Sequence, residues 1–417
     1  MPEADGHSSH QFTPDTVADL QAFVAARTAE CPPLILRGGG TDLHIGLPPR
    51  PESVSVHTTA LNQVVDYPAR DMTVTVQAGV TVETLTRVLS ENNQQLPVDV
   101  RAPDRATVGG IVAANHSGPR RFGYGTLRDY VIGIEAIDGT GRAFKAGGRV
   151  VKNVAGYDFC KLLTGSFGSL AAITQLTFKL RPIPAECGML WSALDSFAAA
   201  DRILERLVTS AARPVIVDTI SGSLAGRVQE QNSDWPRGHV VLLLGVEGNS
   251  ADEIDWQLQT LENEFRAFEF DDSVRLNREQ SQHVLTELMQ FTRPSASPLL
   301  FRANVRPSVT QSFQELCASS NIITVAHAAN GIVYGQLPCE TESAKQAATL
   351  LEPLKTAAHS SNGDLVVLDC DDHWKASLPV GGQARSQNAL SRKLKDAFDP
   401  LAIFSRGRLH FPTVRPD

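Results

Sequence analysis

Glycine carries the first chemical signal in this chain. Gly38-Gly39-Gly40 follows the apolar run Leu34-Ile35-Leu36 and leads into Thr41-Asp42. Further clusters come at Gly109-Gly110, at Gly118 and Gly123-Tyr124-Gly125, and at Gly165-Ser166-Phe167-Gly168. Without a Cβ, glycine lets the backbone turn sharply or approach a ligand closely. A row of main-chain N–H groups presented in this way suits a pyrophosphate. On the glycines alone two readings stand level: a large cofactor held mainly by backbone, or a loop-rich β domain whose glycines serve turns. Two sharper motifs are absent. The dinucleotide fingerprint fails because Leu43 and Arg128 stand where its last glycine belongs, and no Gly-Lys-Ser/Thr exists to form a P-loop.

The stretch Arg149-Val150-Val151-Lys152-Asn153-Val154-Ala155-Gly156-Tyr157-Asp158, with Lys161-Leu162 after it, separates the two readings. Together with Pro103 to Ala114 and the glycine clusters, it resembles the PCMH-type FAD-binding domain of the vanillyl-alcohol oxidase family. Within that family it is similar to the FAD-binding subunits of glycolate oxidases. The likeness runs from Arg37 to about Pro182. It returns at Asp399-Pro400 and Ser405-Arg406-Gly407-Arg408, where Ser405-Arg406 replaces the family's usual Asn-Pro. The resemblance implies FAD held by Arg37, Gly38, Gly39, Gly40, Thr41 and Asp42, and by Pro103, Thr107, Val108, Gly109, Gly110, Ala113 and Ala114. It extends the set to Gly118, Arg120, Arg121, Lys152, Asn153, Gly156, Tyr157, Asp158, Gly165, Gly168 and Ile173. Many members join the flavin to a histidine in the first loop. Gly40 and Thr41 stand there instead, so the resemblance implies non-covalent FAD.

At 417 residues the chain has room for two or three domains and a large core. Its 38 Lys and Arg against 46 Asp and Glu give a net charge of −8, which argues against a nucleic-acid surface. No apolar run is long enough to span a bilayer, and the first residues lack a signal peptide's basic and apolar regions. A cytoplasmic protein, meeting a membrane only through partners, is the expectation. The six cysteines form no Cys-x-x-Cys pair, so reduced and mostly buried thiols are expected, with no iron–sulfur or zinc cassette.

The elements that must carry these groups follow from spacing. Thr13-Pro14-Asp15 reads as the start of a helix through Val17, Leu20, Phe23 and Val24 to about Ala29. Strands are expected at Leu34–Leu36, Val54–Val56, Thr73–Val76, Val131–Ala143 (with a turn at Asp138-Gly139-Thr140-Gly141) and Ile173–Leu180. Pro182 and Pro184 mark a boundary. Beyond them, two successive β-α-β-β-α-β patterns can fuse edge to edge into one antiparallel sheet backed by helices. The fold class expected is α+β: a two-part FAD domain over 1–184, a cap of two ferredoxin-like halves over 185–370, and a segment over 371–417 that returns to the first domain.

The resemblance also implies where the chemistry sits. Oxidising a small 2-hydroxy acid needs a base for the hydroxyl proton and a cation for the carboxylate. The cap offers His327, Arg302 and Arg306, with His283 and Arg293 as further basic groups and His373 in the linker after it. His327-Ala328-Ala329-Asn330-Gly331 is a worn form of a His-Ala-Gly-Asp-Gly-Asn-x-His motif that supplies metal and substrate histidines in catalytic relatives. Here Asp has become Asn330 and the second His is gone, so no metal is expected. The partners implied are a homologous catalytic flavin subunit and an iron–sulfur subunit, passing electrons from glycolate or D-lactate towards a quinone. Two alternatives stand beside this: a self-sufficient 2-hydroxy-acid dehydrogenase, and a flavin-binding assembly subunit without turnover.

Overall fold

Leu34–Arg37 forms a strand because its aliphatic side chains fit a buried sheet, and it runs parallel to Val54–His57, which pairs on its far side with His10–Phe12. The computed structural model describes residues 10–148, 157–231, 234–266, 272–292, 297–382 and 388–408. Contacts divide the chain into two units. One is drawn from residues up to Ser117, Thr126–Ile183 and residues from Ala384 onward; the other comprises Gly118–Gly125 and Pro184–Gln383.

In the first unit the helix Val17–Ala25 buries Leu20 and Val24 against the parallel sheet. Thr16 caps it, not Thr13: its hydroxyl accepts from Asp19 N–H at 3.1 Å while the Asp19 carboxylate accepts from Thr16 N–H at 2.9 Å. This reciprocal capping box fixes the start three residues later than the Thr-Pro-Asp signal suggests, and the helix stops at Ala25, short of Ala29. A second, antiparallel sheet orders its strands Val64–Asp66, Thr73–Gln77, Ala171–Lys179, Val131–Asp138 and Ala143–Gly147. The hairpin between the last two turns at Asp138, whose carboxylate accepts from Thr140 N–H at 2.9 Å and Arg142 N–H at 3.1 Å.

The carboxy-terminal segment belongs to this unit and completes its first sheet. Leu34 N–H donates to the Ile403 carbonyl at 2.6 Å and Ser405 N–H to the Leu34 carbonyl at 2.8 Å, placing Phe404 alongside Leu34. Asp399 accepts from the amides of Ile403 at 2.9 Å and Phe404 at 2.8 Å and is paired with Lys395 on the helix Asn388–Phe398.

The second unit is one eight-stranded antiparallel sheet. Its order is Ser273–Leu276, Glu186–Leu194, Val240–Gly248, Ile216–Ser221, Ile323–His327, Ile332–Gln336, Leu299–Asn304 and Asp364–Cys370. In chain order the first four strands occupy positions 4-1-3-2 and the last four 2-3-1-4, so the halves are mirror-ordered and meet through their second strands. The expected fusion of two βαββαβ halves is present. The first half adds a helix between its middle strands, Gly222–Val228, and a further helix, Arg278–Phe291. Both pack on the sheet face that carries Trp191, Ile220 and Leu243, while Phe197–Leu207 and Ala251–Phe265 cover Leu190, Leu242 and Leu244 on the other. A sheet buried on both faces accounts for the near-continuous apolar run Val240–Gly245.

All six thiols are free. Burial pushes Cys160 up to about 11 and Cys370 up to about 12, and raises Cys317 further. Cys31 goes the other way, to about 7, because the Thr28 hydroxyl and amide lie against its sulfur at 3.5 Å. Only the thiolate alkylates. Iodoacetamide labelling of the native chain, read by peptide mass, is therefore expected to modify Cys31 with a midpoint near pH 7 while Cys160, Cys317 and Cys370 stay unmodified until denaturant is added.

Candidate functional site

The glycine loop after Leu34–Arg37 opens into a groove of about 900 Å³, open mouth included, which lies within the first unit. Its walls are Arg37 to Asp42, Thr107, Gly109, Gly110, Ala113 and Ala114 from the helix Val108–Ala114, and Gly168 and Ile173 from the start of the long strand. Thus thirteen of the residues singled out in the sequence come together. The amides of Gly38, Gly39, Gly40 and Thr41 donate to no other backbone carbonyl among the described residues. Unpaired N–H groups facing a groove call for an acceptor from outside the chain. Two buried side-chain oxygens of the same unit, Asn115 Oδ1 and Ser166 Oγ, also have no partner among the described residues.

Close packing sets the shape of that loop. A Cβ on Gly38 would collide with the Thr107 hydroxyl, and one on Gly39 with the Arg105 carbonyl oxygen. Thr107 itself is committed, since its hydroxyl accepts the Gly110 amide at 3.2 Å and caps the helix. Arg101 holds the far side: its guanidinium donates to the Thr41 carbonyl at 2.6 Å and lies 3.5 Å from the Asp42 carboxylate.

The spacing rules did not find Leu36, Leu43, Ile45, Thr58, Ala78, Phe167, Ala171, Ala172, Ser405 and Arg408, which also line the groove. Most are small or apolar, with nothing in their type to mark them. Arg408 is different: it is buried, and its guanidinium donates to the carbonyls of Leu43, of Ile45 at 2.9 Å and of Leu47 at 3.0 Å. It ties the returning segment to the loop that forms the floor of the groove.

The remaining cofactor candidates lie elsewhere. Pro103 and Gly165 stand outside the lining, and Val108 is fully buried beneath it. Tyr157 is exposed, and Asp158 caps the helix Phe159–Leu163, accepting from Lys161 N–H at 3.0 Å. Gly118, Arg120 and Arg121 belong to the second unit, because their segment is bonded there: Gly123 N–H donates to the Val215 carbonyl at 3.0 Å, Tyr124 hydroxyl donates to Glu247, and Arg120 pairs with Glu247 at 3.6 Å. Lys152, Asn153 and Gly156 lie outside the described residues.

In the second unit His327 ends its strand at the seam between the halves. It is buried, and its Nδ1 lies 3.0 and 3.1 Å from the two carboxylate oxygens of Asp218, directly opposite on the neighbouring strand. Its ring meets Tyr334 edge-on at 5.8 Å. Tyr334 is in register with Arg302, whose Nε is buried without a partner among the described residues. Arg306 is exposed beyond that strand, which ends at Asn304. His373 is exposed in the short helix Asp372–Lys375 after the edge strand and is not brought to His327; His283 is half-buried on Arg278–Phe291, and Arg293 lies outside the described residues. Among the described residues no cluster of three His, Cys, Asp or Glu is placed to hold a metal, and no helix is long and apolar enough to cross a membrane.

A glycine loop, a capped helix and a returning arginine thus line one groove of the first unit. Residues 9–147 match the protein family described as FAD binding domain, and that part of the chain is an FAD-binding domain of the PCMH type. A D-2-hydroxyglutarate dehydrogenase of Xanthomonas citri pv. viticola is 33% identical over 44% of this chain and 39% of its own length. The glycolate oxidase subunit GlcE of Escherichia coli K12 is 34% identical over 36% of this chain and 43% of its own. The chain thus spans less than half the length of these curated relatives. The solved structure of p-cresol methylhydroxylase with substrate bound shares the fold, with a TM-score of 0.70 at 16% identity over 95% of this chain and 88% of that one.

Proposed function

We propose that this chain is the FAD-binding subunit of a glycolate oxidase-type complex, in which electrons from a small 2-hydroxy acid pass through its flavin. The observation that carries the reading is the row of free amides from Gly38 to Thr41 facing the groove that Arg408 closes. Those residues would hold the pyrophosphate non-covalently, with Ala113, Ala114, Ala171 and Ile173 against the apolar part of the cofactor. The bound flavin supplies a two-electron acceptor. Similarity to a glycolate oxidase subunit and to a D-2-hydroxyglutarate dehydrogenase supports the substrate class. The partners of the complex are a catalytic flavin subunit and an iron–sulfur subunit, and any membrane contact runs through them.

A second reading, a dehydrogenase complete in itself, is favoured by the buried Asp218–His327 pair, which has the make-up of a proton-accepting site. One experiment separates the two. The purified chain is expected to carry a flavin spectrum; anaerobic glycolate, D-lactate or D-2-hydroxyglutarate bleaches it directly under the second reading, and only after the partner subunits are added under the first. A chain that purifies and reconstitutes without flavin would rule out both.

A further inference from the structure

We infer that Arg101 is a positioning residue for the cofactor's pyrophosphate. Its guanidinium cancels the Asp42 carboxylate at the groove wall and turns the Thr41–Asp42 peptide so that its N–H joins the row of amides. This rests on the pyrophosphate placement proposed above and needs the first unit alone, since Thr41, Asp42, Arg101 and His116 all belong to it.

The groove poses an electrostatic problem. Among the described residues Asp42 is the one acidic side chain that lines it, directly after the amides from Gly38 to Thr41. That side chain is 17% exposed, so solvent screens its charge little. A bare carboxylate there would repel the diphosphate that the amides are arranged to receive. Among the described residues it has three side-chain neighbours. The Thr41 hydroxyl donates to Oδ2 at 3.4 Å, an Arg101 guanidinium nitrogen lies 3.5 Å from Oδ1, and His116 Nδ1 lies 3.9 Å from Oδ2. Of the three, only the guanidinium carries a permanent positive charge. Arg101 is buried and is not part of the lining. It removes the charge of Asp42 without occupying the space of a ligand.

The same guanidinium nitrogen donates to the Thr41 carbonyl at 2.6 Å. In a planar trans peptide the C=O and the following N–H point in opposite directions. Holding the Thr41 carbonyl on Arg101 therefore directs the Asp42 N–H away from Arg101. That N–H too donates to no backbone carbonyl among the described residues, which makes a run of five amides from Gly38 to Asp42. Two other accounts compete. In one, the ion pair only ties the loop down; yet the short contact is to the neutral carbonyl, and the longer one to the carboxylate adds a buried charge to no purpose. In the other, Asp42 itself accepts a hydroxyl of the cofactor. Neutralising Asp42 then weakens binding, whereas cancellation by Arg101 makes the same change strengthen it.

The test titrates the full chain, freed of flavin, with FAD at a single pH, following the quenching of flavin fluorescence. Arg101→Met is expected to weaken binding about 10²-fold, through the uncovered carboxylate and the released peptide together. Asp42→Asn should tighten FAD about 10-fold, since the guanidinium then acts on the diphosphate uncancelled. In the Arg101→Met background the same change should restore about 10-fold. Arg101→Lys, which keeps the charge but loses the planar fork, should fall between wild type and Arg101→Met. ADP displacing bound FAD should rank the variants in the same order, because it carries the diphosphate without the flavin. Circular dichroism checks folding; should Arg101→Met not fold, Asp42→Asn decides by its sign. Weaker binding in Asp42→Asn, wild-type binding in Arg101→Met, or no gain from Asp42→Asn in the Arg101→Met background would each overturn the inference alone. A wild-type chain that takes up no FAD would remove the pyrophosphate placement itself, and the inference with it.

Discussion

Gly39→Ala is expected to purify as a folded chain without flavin. A methyl group at this position points into the carbonyl oxygen of Arg105, a backbone atom that cannot swing aside. Relief requires the loop to lift from Arg105-Ala106-Thr107, and the amides of Gly38 to Thr41 lift with it. Those amides gain their value only when they converge on one anion, so a shift of about 1 Å costs several contacts together. The stability penalty of such overpacking is modest, about 1–3 kcal/mol. FAD affinity should fall at least 10²-fold, roughly 2.7 kcal/mol. The ratio of visible to ultraviolet absorbance of the purified protein, followed by titration with FAD, measures this. Gly148→Ala is the control, because a Cβ there meets nothing within 4 Å. Full flavin content in Gly39→Ala would mean that the loop is not the cofactor cradle.

Asp399→Ala should have the largest effect on stability in the first unit. Asp399 is buried, accepts two backbone amides, and faces Lys395, whose ammonium also donates to the carbonyls of Ser169 at 2.6 Å and Phe404 at 2.9 Å. Burial draws the Lys395 pKa down, against the pull of Asp399 in the other direction. Desolvation therefore outweighs the attraction, and the pair is present for the geometry it imposes more than for net stability. Removing one partner leaves a buried cation and two amides unmatched, at a cost of about 3–5 kcal/mol. For a unit of this size that lowers the melting midpoint by roughly 6–20 °C. The segment released carries Ser405 and Arg408 away from the groove, so flavin should be lost well below the main transition. Flavin fluorescence and circular dichroism recorded on one heating ramp would show the two events separating; coincident transitions at the wild-type temperature would contradict this account.

Much of the fold was legible because local rules and tertiary packing agree here. Ser196 and Ser250 cap the helices that follow them, each hydroxyl accepting the amide three residues on. The Asp138-Gly139-Thr140-Gly141 turn forms where it was expected, and Gly139 is needed besides because a Cβ would strike Asp399. Thr16 displaced Thr13 as a cap because only Thr16 has an acidic residue three positions on that reaches back to it. The helix Gly222–Val228 was not legible, since two of its seven residues are glycine and its stability comes from Leu224, Ala225 and Val228 packing on the sheet.

For the site the division is sharper. Residue type and spacing alone determined that a glycine loop follows a buried strand and that no P-loop or cysteine cassette exists; the resemblance added that His327 heads a motif with its usual acid replaced. These are one-dimensional facts about backbone freedom and side-chain chemistry. Only the tertiary structure decided that Arg120 faces Glu247 within the second unit, that Arg408 locks three carbonyls of the loop beside the groove, and that Asp218 lies against His327 although 109 positions separate them. Pairings of that kind follow from which strand edges meet. That choice is made by the summed burial of two sheet faces, a quantity no single stretch of the chain contains.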